Sequence, residues 1–400
     1  MDEGYEQVFS RIKEIGIKHV NIATSYHCGR YLLPHNPKRR LYNAEEGVVY
    51  FQPDSKFFDQ TGLKPRVSSE FSTVDIAALV TREARKHGLG VNSWTAAVHN
   101  YRLAKAHPEA AMVNAYGDID QNFLCINNQD SRKYVIGLVR NLAEKYDFDA
   151  IQLETGGYSW GFEHGDHHEM LGMKIEPLTS DLMNICFCKN CLVQMENKGL
   201  TPDVMRKTVR SIVDISTNTP GNVLQRIPIE ENFRNSYVLT ADIKELYDLL
   251  RFKRDIVESF FEELKVALKA SKTKAKLRLI TAGGFGGAGA GMMGRGSEGI
   301  NLRNLAKHVD GFDLLEYVPD PETVYYHVQW TKFEVGDCPI YVALRPSYPT
   351  LFTQQAIEAE VIAALEAGAS GVEFYNYGWT SLRNLGWIKQ SLEHASSRLP

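Results

Sequence analysis

The 400-residue chain lacks any apolar run long enough to span a bilayer. It also lacks a basic-then-apolar leader, since Met1-Asp2-Glu3-Gly4 stands at its start, so neither a membrane protein nor a signal-bearing precursor is expected. A dominant charge is missing too: 45 Lys and Arg stand against 49 Asp and Glu, for a net charge of −4. That balance removes any electrostatic case for nucleic acid or an anionic membrane as partner. Cysteine is scarce, with six residues, too few for a disulfide scaffold, and a reducing cytoplasm is the expected compartment. What is present is ordinary: 44% hydrophobic and 24% charged residues make a globular protein with ample core.

The pattern that repeats is an amphipathic helix, a Gly or Asp punctuation, then a buried strand. Tyr5 to Ile15 leads past Gly16 to a strand over His19–Ser25, and Val74 to Lys86 leads to Leu89–Thr95. Ser131 to Tyr146 leads to Phe148–Glu154, and Asp242 to Ala270 leads to Leu277–Ala282. Three further units bring strands at Phe312–Tyr317, Pro339–Arg345 and Gly371–Tyr377, and Leu385 to His394 closes the chain as a helix. Such alternation predicts an α/β fold with a parallel sheet and right-handed crossovers. Polar residues recur on inward faces near strand ends (Ser25, Gln152, Glu154, Arg345, Glu373, Tyr375), which favours a (β/α)8 TIM barrel over an open doubly wound sheet.

Seven strands are visible where a closed barrel has eight. The first strand is expected to be missing ahead of Met1, to be replaced by another segment, or to be dispensed with by seven-strand closure. One domain over residues 1–400 is expected, with long insertions at 26–72 and 156–240 forming a cap over the strand C-termini.

Glu154 is the most informative residue. It ends an alternating strand in which Ile151 and Leu153 share one face and Gln152 and Glu154 the other, and Tyr158 and Trp160 follow closely. A carboxylate at a strand's C-terminal end is where parallel barrels build active sites, and aromatic rings beyond it suit the C–H face of a sugar. A buried Glu paired with an Arg is the bland alternative. Three segments leave strand ends with unusually functional sets: His27, Arg30, His35 and Asn36; Trp94, His99 and Asn100; and His164, His167 and His168 beyond Glu154.

These segments, with the stretch from Asn114 to Cys125 and the terminal Tyr375-Asn376-Tyr377-Gly378, resemble the glycoside hydrolase-like TIM-barrel proteins. The resemblance implies a carbohydrate-active enzyme, a glycosidase with a saccharide or glycoside substrate. In the large clan of such hydrolases the acid/base Glu ends the fourth strand, where Glu154 falls if a first strand is counted. Two positions depart from the clan: Leu153 stands where Asn is usual, and the seventh strand ends in Arg345 instead of a nucleophilic Glu.

A glycosidase needs a second carboxylate, about 5–5.5 Å from the first for retention or 6.5–9.5 Å for inversion. Glu373 is the first candidate, because Val372 and Phe374 occupy the other face of its strand; Glu316 is the reserve. Arg345 is read either as a clamp for an acidic group on the substrate or as a partner that lowers a neighbouring carboxyl. Tyr375 and Tyr377 complete the expected lining, with Trp94 and Tyr158. Other classes stay open: a non-catalytic carbohydrate-binding barrel, or a metal-dependent sugar isomerase or aldolase using the histidines. No cofactor is required. Cys186, Cys188 and Cys191 have zinc-ligand spacing, with a fourth ligand to come from elsewhere, or are simply reduced thiols on a packed helix. Gly289 to Gly294 fits a GxGxxG pattern but opens no helix, so a loop over the pocket is expected there and not a dinucleotide site.

Overall fold

The computed structural model describes residues 2–159, 177–218, 238–271, 273–282 and 298–398. Its centre is one curled sheet whose strands, in chain order, are β1 (His19–Tyr26), β2 (Val48–Val49), β3 (Gly90–Ala96), β4 (Ala150–Glu154), β5 (Lys276–Ala282), β6 (Gly311–Glu316), β7 (Ile340–Leu344) and β8 (Gly371–Phe374). Neighbours run β8-β7-β6-β5-β4-β3-β1-β2. All pairs are parallel except β1–β2, which joins only Ser25 to Val49 and Tyr26 to Val48 in antiparallel register. This is the α/β barrel architecture expected from the alternation, with the first-strand position left open.

Chain punctuation explains the elements. Gly16, at φ +98°, turns the chain after the helix Tyr5–Glu14, a backbone conformation that L side chains rarely adopt. Asn128 accepts a hydrogen bond from Ser131 N at 3.1 Å and so starts the helix Gln129–Lys145, which buries Tyr134, Val135, Leu138, Val139 and Leu142 against the sheet. The 27-residue helix Lys244–Ala270 buries Leu249, Phe252, Ile256, Phe260, Phe261 and Leu264 on one stripe. Ile151 and Leu153, the outward positions of β4, are fully buried beneath the helix layer. No helix among the described residues is long and apolar enough to cross a membrane.

The eighth strand is β2, inside the insertion that follows β1. It covers only the C-terminal end of β1, so β8 and the lower part of β1 face each other without backbone pairing. Side chains bridge them: Asn21 Nδ2 donates to Glu373 Oε2 at 2.9 Å, and the hydroxyls of Tyr26 and Tyr375 lie 2.9 Å apart. Beside this opening lies a cavity of about 1070 Å³ that reaches from the helix Tyr5–Glu14 into the barrel, lined by Trp94, Arg278, Glu373 and Tyr375 among others.

The insertions carry their own structure. The first contains the hairpin Gly29–Leu32 with Leu41–Ala44 as well as β2. Beyond β4 come the helices Pro177–Met183, Lys189–Asn197 and Pro202–Asn218. A further excursion follows β3, where the helix Tyr101–Ala106 and the hairpin Ala111–Val113 with Ile119–Leu124 replace a simple crossover.

Candidate active site

Glu154 is buried at the end of β4, and its hydrogen-bond partner is the Trp94 indole, whose Nε1 donates to Oε2 at 2.6 Å. Burial pushes its carboxyl up to about 7, and the Trp94 hydrogen bond only partly offsets that rise. The backbone turns sharply just beyond. Thr155 takes φ +54°, rare for a β-branched residue, and its Oγ1 donates to Glu154 O at 2.7 Å. Gly157 is needed for close packing, since a Cβ there would lie 2.3 Å from Glu298 O.

Aromatic rings surround this acid. Trp94 meets Tyr375 at 5.0 Å between centroids, Tyr375 stacks on Tyr317 at 5.9 Å, and Trp379 meets Tyr375 edge-on at 4.8 Å. Tyr31 lies 5.2 Å from Trp379. On the other flank Tyr26, His27, His99 and Phe123 form a column, with successive centroids 4.4, 4.4 and 4.3 Å apart. His27, Trp94, His99, Glu154 and Tyr375 therefore share one region at the strand C-termini. Arg345 closes the wall with its Cζ 4.1 Å from the centre of the Tyr317 ring. The Nε1 of Trp379 and the Nε of Arg345 are buried without a partner among the described residues.

Two residues earlier along the strands lies a polar floor. Arg278 donates from Nη2 to Glu373 Oε1 at 2.6 Å and from Nε to Asp313 Oδ2 at 3.1 Å, while its guanidinium covers the Tyr341 ring at 3.6 Å. Gln152 Nε2 reaches both oxygens of Glu373 at 3.3 and 3.4 Å, and Asn92 Nδ2 supports Asn21 at 2.8 Å. Glu373 faces inward as its alternation predicts, and its cationic partner is Arg278 and not Arg345. Glu316 does not join it. Its strand position turns it to the helix layer, where Oε2 meets His327 Nδ1 at 2.9 Å, so the reserve second carboxylate is set aside.

Several expected lining residues serve elsewhere. Asn100 accepts from Leu103 N at 3.0 Å and caps the helix Tyr101–Ala106, and Arg30 is exposed on the first hairpin. His35 binds Glu3 Oε2 and Tyr377 O, both at 3.0 Å, and Asn36 Nδ2 donates to Asp2 Oδ2 at 3.2 Å. Tyr377 donates to Glu3 and accepts from Arg11 Nη1 at 2.6 Å. These three pin the chain's start across the barrel top. Tyr158 turns to a different cluster, with its hydroxyl 3.8 Å from Cys191 Sγ and the Lys253 ammonium 5.0 Å from its ring centre. His164, His167, His168 and Gly289–Gly294 lie outside the described residues. Tyr26, Tyr31, Tyr317 and Trp379 join the lining without having been singled out in the sequence, although each lies close after a strand end.

That other cluster gathers four buried thiols. Cys125, Cys186, Cys188 and Cys191 place their sulfurs within 4.8 Å of one another, with Cys125 Sγ at 3.5, 3.6 and 3.7 Å from the other three. Four thiolates on zinc at about 2.3 Å sit about 3.8 Å apart, so the spacing fits a tetrahedral ion and not a disulfide. Val113 N at 3.5 Å from Cys186 Sγ and Asn127 Nδ2 at 3.7 Å from Cys191 Sγ supply donors of the kind that orient thiolate ligands. The fourth sulfur beside the Cys186–Cys191 run is that of Cys125, at the end of the second hairpin.

No family model matches the chain, and no curated protein does. Solved structures match along nearly its whole length. The glycoside hydrolase domain of PgaB (BpsB) from Bordetella bronchiseptica aligns at TM-score 0.60 with 11% identity, covering 97% of this chain and 92% of that one. The α-L-fucosidase isoenzyme 2 of Paenibacillus thiaminolyticus aligns at 0.57 with 14% identity, covering 99% and 46%. A β-galactosidase from Bacillus circulans sp. alkalophilus aligns at 0.53 with 14% identity, covering 98% and 53%. The fold is that of the glycoside hydrolase-like barrels. The chain spans about half the length of the fucosidase and of the β-galactosidase. At these identities the likeness establishes the fold alone.

Proposed function

We propose that the protein is a carbohydrate-active enzyme, a glycoside hydrolase in which Glu154 is the general acid/base. The observation that carries this reading is a buried strand-end carboxyl, held by one indole N–H, raised to about 7 and enclosed by aromatic rings. An acid poised near neutrality can protonate a leaving-group oxygen and later take a proton from water. Stacked rings at Trp94, Tyr375 and Tyr317 suit the C–H face of a sugar, and uncommitted donors at Trp379 and Arg345 suit its polar groups.

Glu373 is the second carboxylate of this reading. It lines the cavity that Trp94 and Tyr375 also line and is ion-paired with Arg278, and a charged carboxylate is what a nucleophile or an oxocarbenium-stabilising group requires. Turnover of a panel of aryl glycosides by wild type, Glu154→Gln and Glu373→Gln is the test. Glu154→Gln should lower kcat by about 10²–10⁴-fold without lowering thermal stability. In wild type the activity should fall as pH rises through about 7, where Glu154 loses its proton, and the mutant should lack that limb. Turnover retained in Glu154→Gln would sink the assignment.

One observation favours a second reading, a non-catalytic carbohydrate-binding barrel. Both oxygens of Glu373 are already engaged by Arg278, Asn21 and Gln152, as in a structural ion pair. Saccharide binding without turnover, unchanged by Glu373→Gln, would favour it over hydrolysis.

The four-cysteine cluster is proposed to hold a structural zinc ion. An ion there would tie the second hairpin to the helix Lys189–Asn197, with no part in bond cleavage. Purified protein should contain about one equivalent of zinc by elemental analysis. Cys125→Ser should lose most of it and lower the Tm. Zinc-free wild-type protein of unchanged Tm would remove the ion from this account.

A further inference from the structure

Arg345 has the position of a substrate ligand and no structural employment. It stands just past the end of β7, half-buried, where a guanidinium normally finds a carboxylate. Among the described residues none pairs with it, and its buried Nε has no hydrogen-bond partner. Its contact is the Tyr317 ring, whose centre lies 4.1 Å from the Arg345 Cζ, close enough for a cation–π contact that uses none of the guanidinium N–H groups. Arg278, by contrast, is consumed by two carboxylates. Arg345 and Glu154 both act electrostatically on Tyr317 and Tyr375, so the acid and the uncommitted cation flank one aromatic wall.

We infer that Arg345 is the anchor for a carboxylate carried by the saccharide, so that the pocket selects acidic, uronic-type sugars over neutral ones. The inference rests on the reading that a sugar occupies the Glu154 pocket. A planar carboxylate meets the guanidinium edge through two parallel N–H···O bonds, while the sugar ring lies on the Tyr375 and Tyr317 faces. One guanidinium matches the single charge of a carboxylate. A phosphate dianion would call for a second cation, and among the described residues Arg345 is the cation found to act on both phenols.

The test is calorimetric binding of methyl glucuronides and galacturonides of both anomers, each beside its neutral methyl ester, with glucose 6-phosphate as the competing anion. At least one acid should bind wild-type protein about tenfold or more tightly than its ester. Arg345→Leu should abolish that preference and Arg345→Lys should keep part of it, with Tm recorded for each. No acid–ester difference across the panel would overturn the inference, as would a difference that survives Arg345→Leu. Preference for the sugar phosphate would overturn the carboxylate assignment. Should Arg345→Leu fail to fold, the wild-type comparison and Arg345→Lys decide. Turnover plays no part in this readout. A preference that stands while Glu154→Gln proves indifferent to activity would leave the subsite and remove the hydrolase, and the opposite pair of results would do the reverse.

Discussion

Glu154 and Glu373 sit on the inward faces of two strands, one layer apart, in opposite electrostatic settings. Glu373 belongs to a floor in which every charge has a partner: Arg278 answers Glu373 and Asp313, and Asn21, Asn92 and Gln152 fill the remaining valences. Glu154, above it, has a single neutral donor and no cation paired with it among the described residues. Burial alone therefore does not set the role of a carboxyl. With a guanidinium at 2.6 Å it is half of an ion pair and fastens strands together; with an indole it drifts towards neutrality and becomes able to give a proton. The floor holds β1, β4, β5, β6 and β8 in register so that the layer above can be spared such ties.

The largest effect on stability should come from breaking the floor. Arg278→Met strands Glu373 and Asp313 without their cation and should cost about 3–5 kcal/mol in chemical denaturation. Adding Glu373→Gln to it should recover part of that loss, because one orphaned charge is removed with it. Equal and additive costs for the two single changes would mean that the pair is uncoupled, and the contrast with Glu154 would lose its basis. Glu154→Gln should remove activity without loss of stability, matching wild type near pH 4.5 and exceeding it near neutral pH, because the amide carries none of the cost of ionising a buried carboxyl raised to about 7.

Much of this is legible in the residues. Periodicity yields the helix–strand alternation, and the parity of Gln152 and Glu154 against Ile151 and Leu153 yields their inward facing. His27, Trp94, His99, Arg345 and Tyr375 come together at the Glu154 end of the barrel because each lies at or just beyond the C-terminal end of a strand, a property of position that needs no knowledge of contacts. What cannot be read is pairing across distance. β2 is two residues long, below any periodic window. Cys125 lies far before Cys186 in the chain, so the zinc-like set looks one ligand short. His35, Asn36 and Tyr377 are polar residues beyond strand ends like the others, but Glu3, Asp2 and Arg11 claim them. Asn100 carries a readable sign of its other role: it stands immediately before a helix, three residues from the N–H it caps.

The smallest expected effect sharpens the comparison, because it isolates burial from chemistry. Glu360, on the helix Gln354–Glu366, is fully buried in the outer layer with both oxygens unpartnered among the described residues, and burial, with Glu316 and Asp320 adding to it, pushes its carboxyl up to about 8. Like Glu154 it pairs with no cation among the described residues; unlike Glu154 it sits on a helix of the outer layer and not at a strand end. A carboxyl raised above its unfolded value of 4.5 binds its proton more tightly in the folded state. Stability is therefore full below about pH 4.5 and is lost progressively as pH rises towards 8. Glu360→Gln cannot ionise, so it should match wild type near pH 4.5 and exceed it by about 1–3 kcal/mol at pH 8–9, with activity unaltered. Denaturation curves across that range measure it. A constant difference at every pH would mean that Glu360 does not change charge on this scale, and that burial without a partner is not enough to raise a carboxyl in this fold. That result would in turn withdraw the physical ground for Glu154 as a neutral-pH acid.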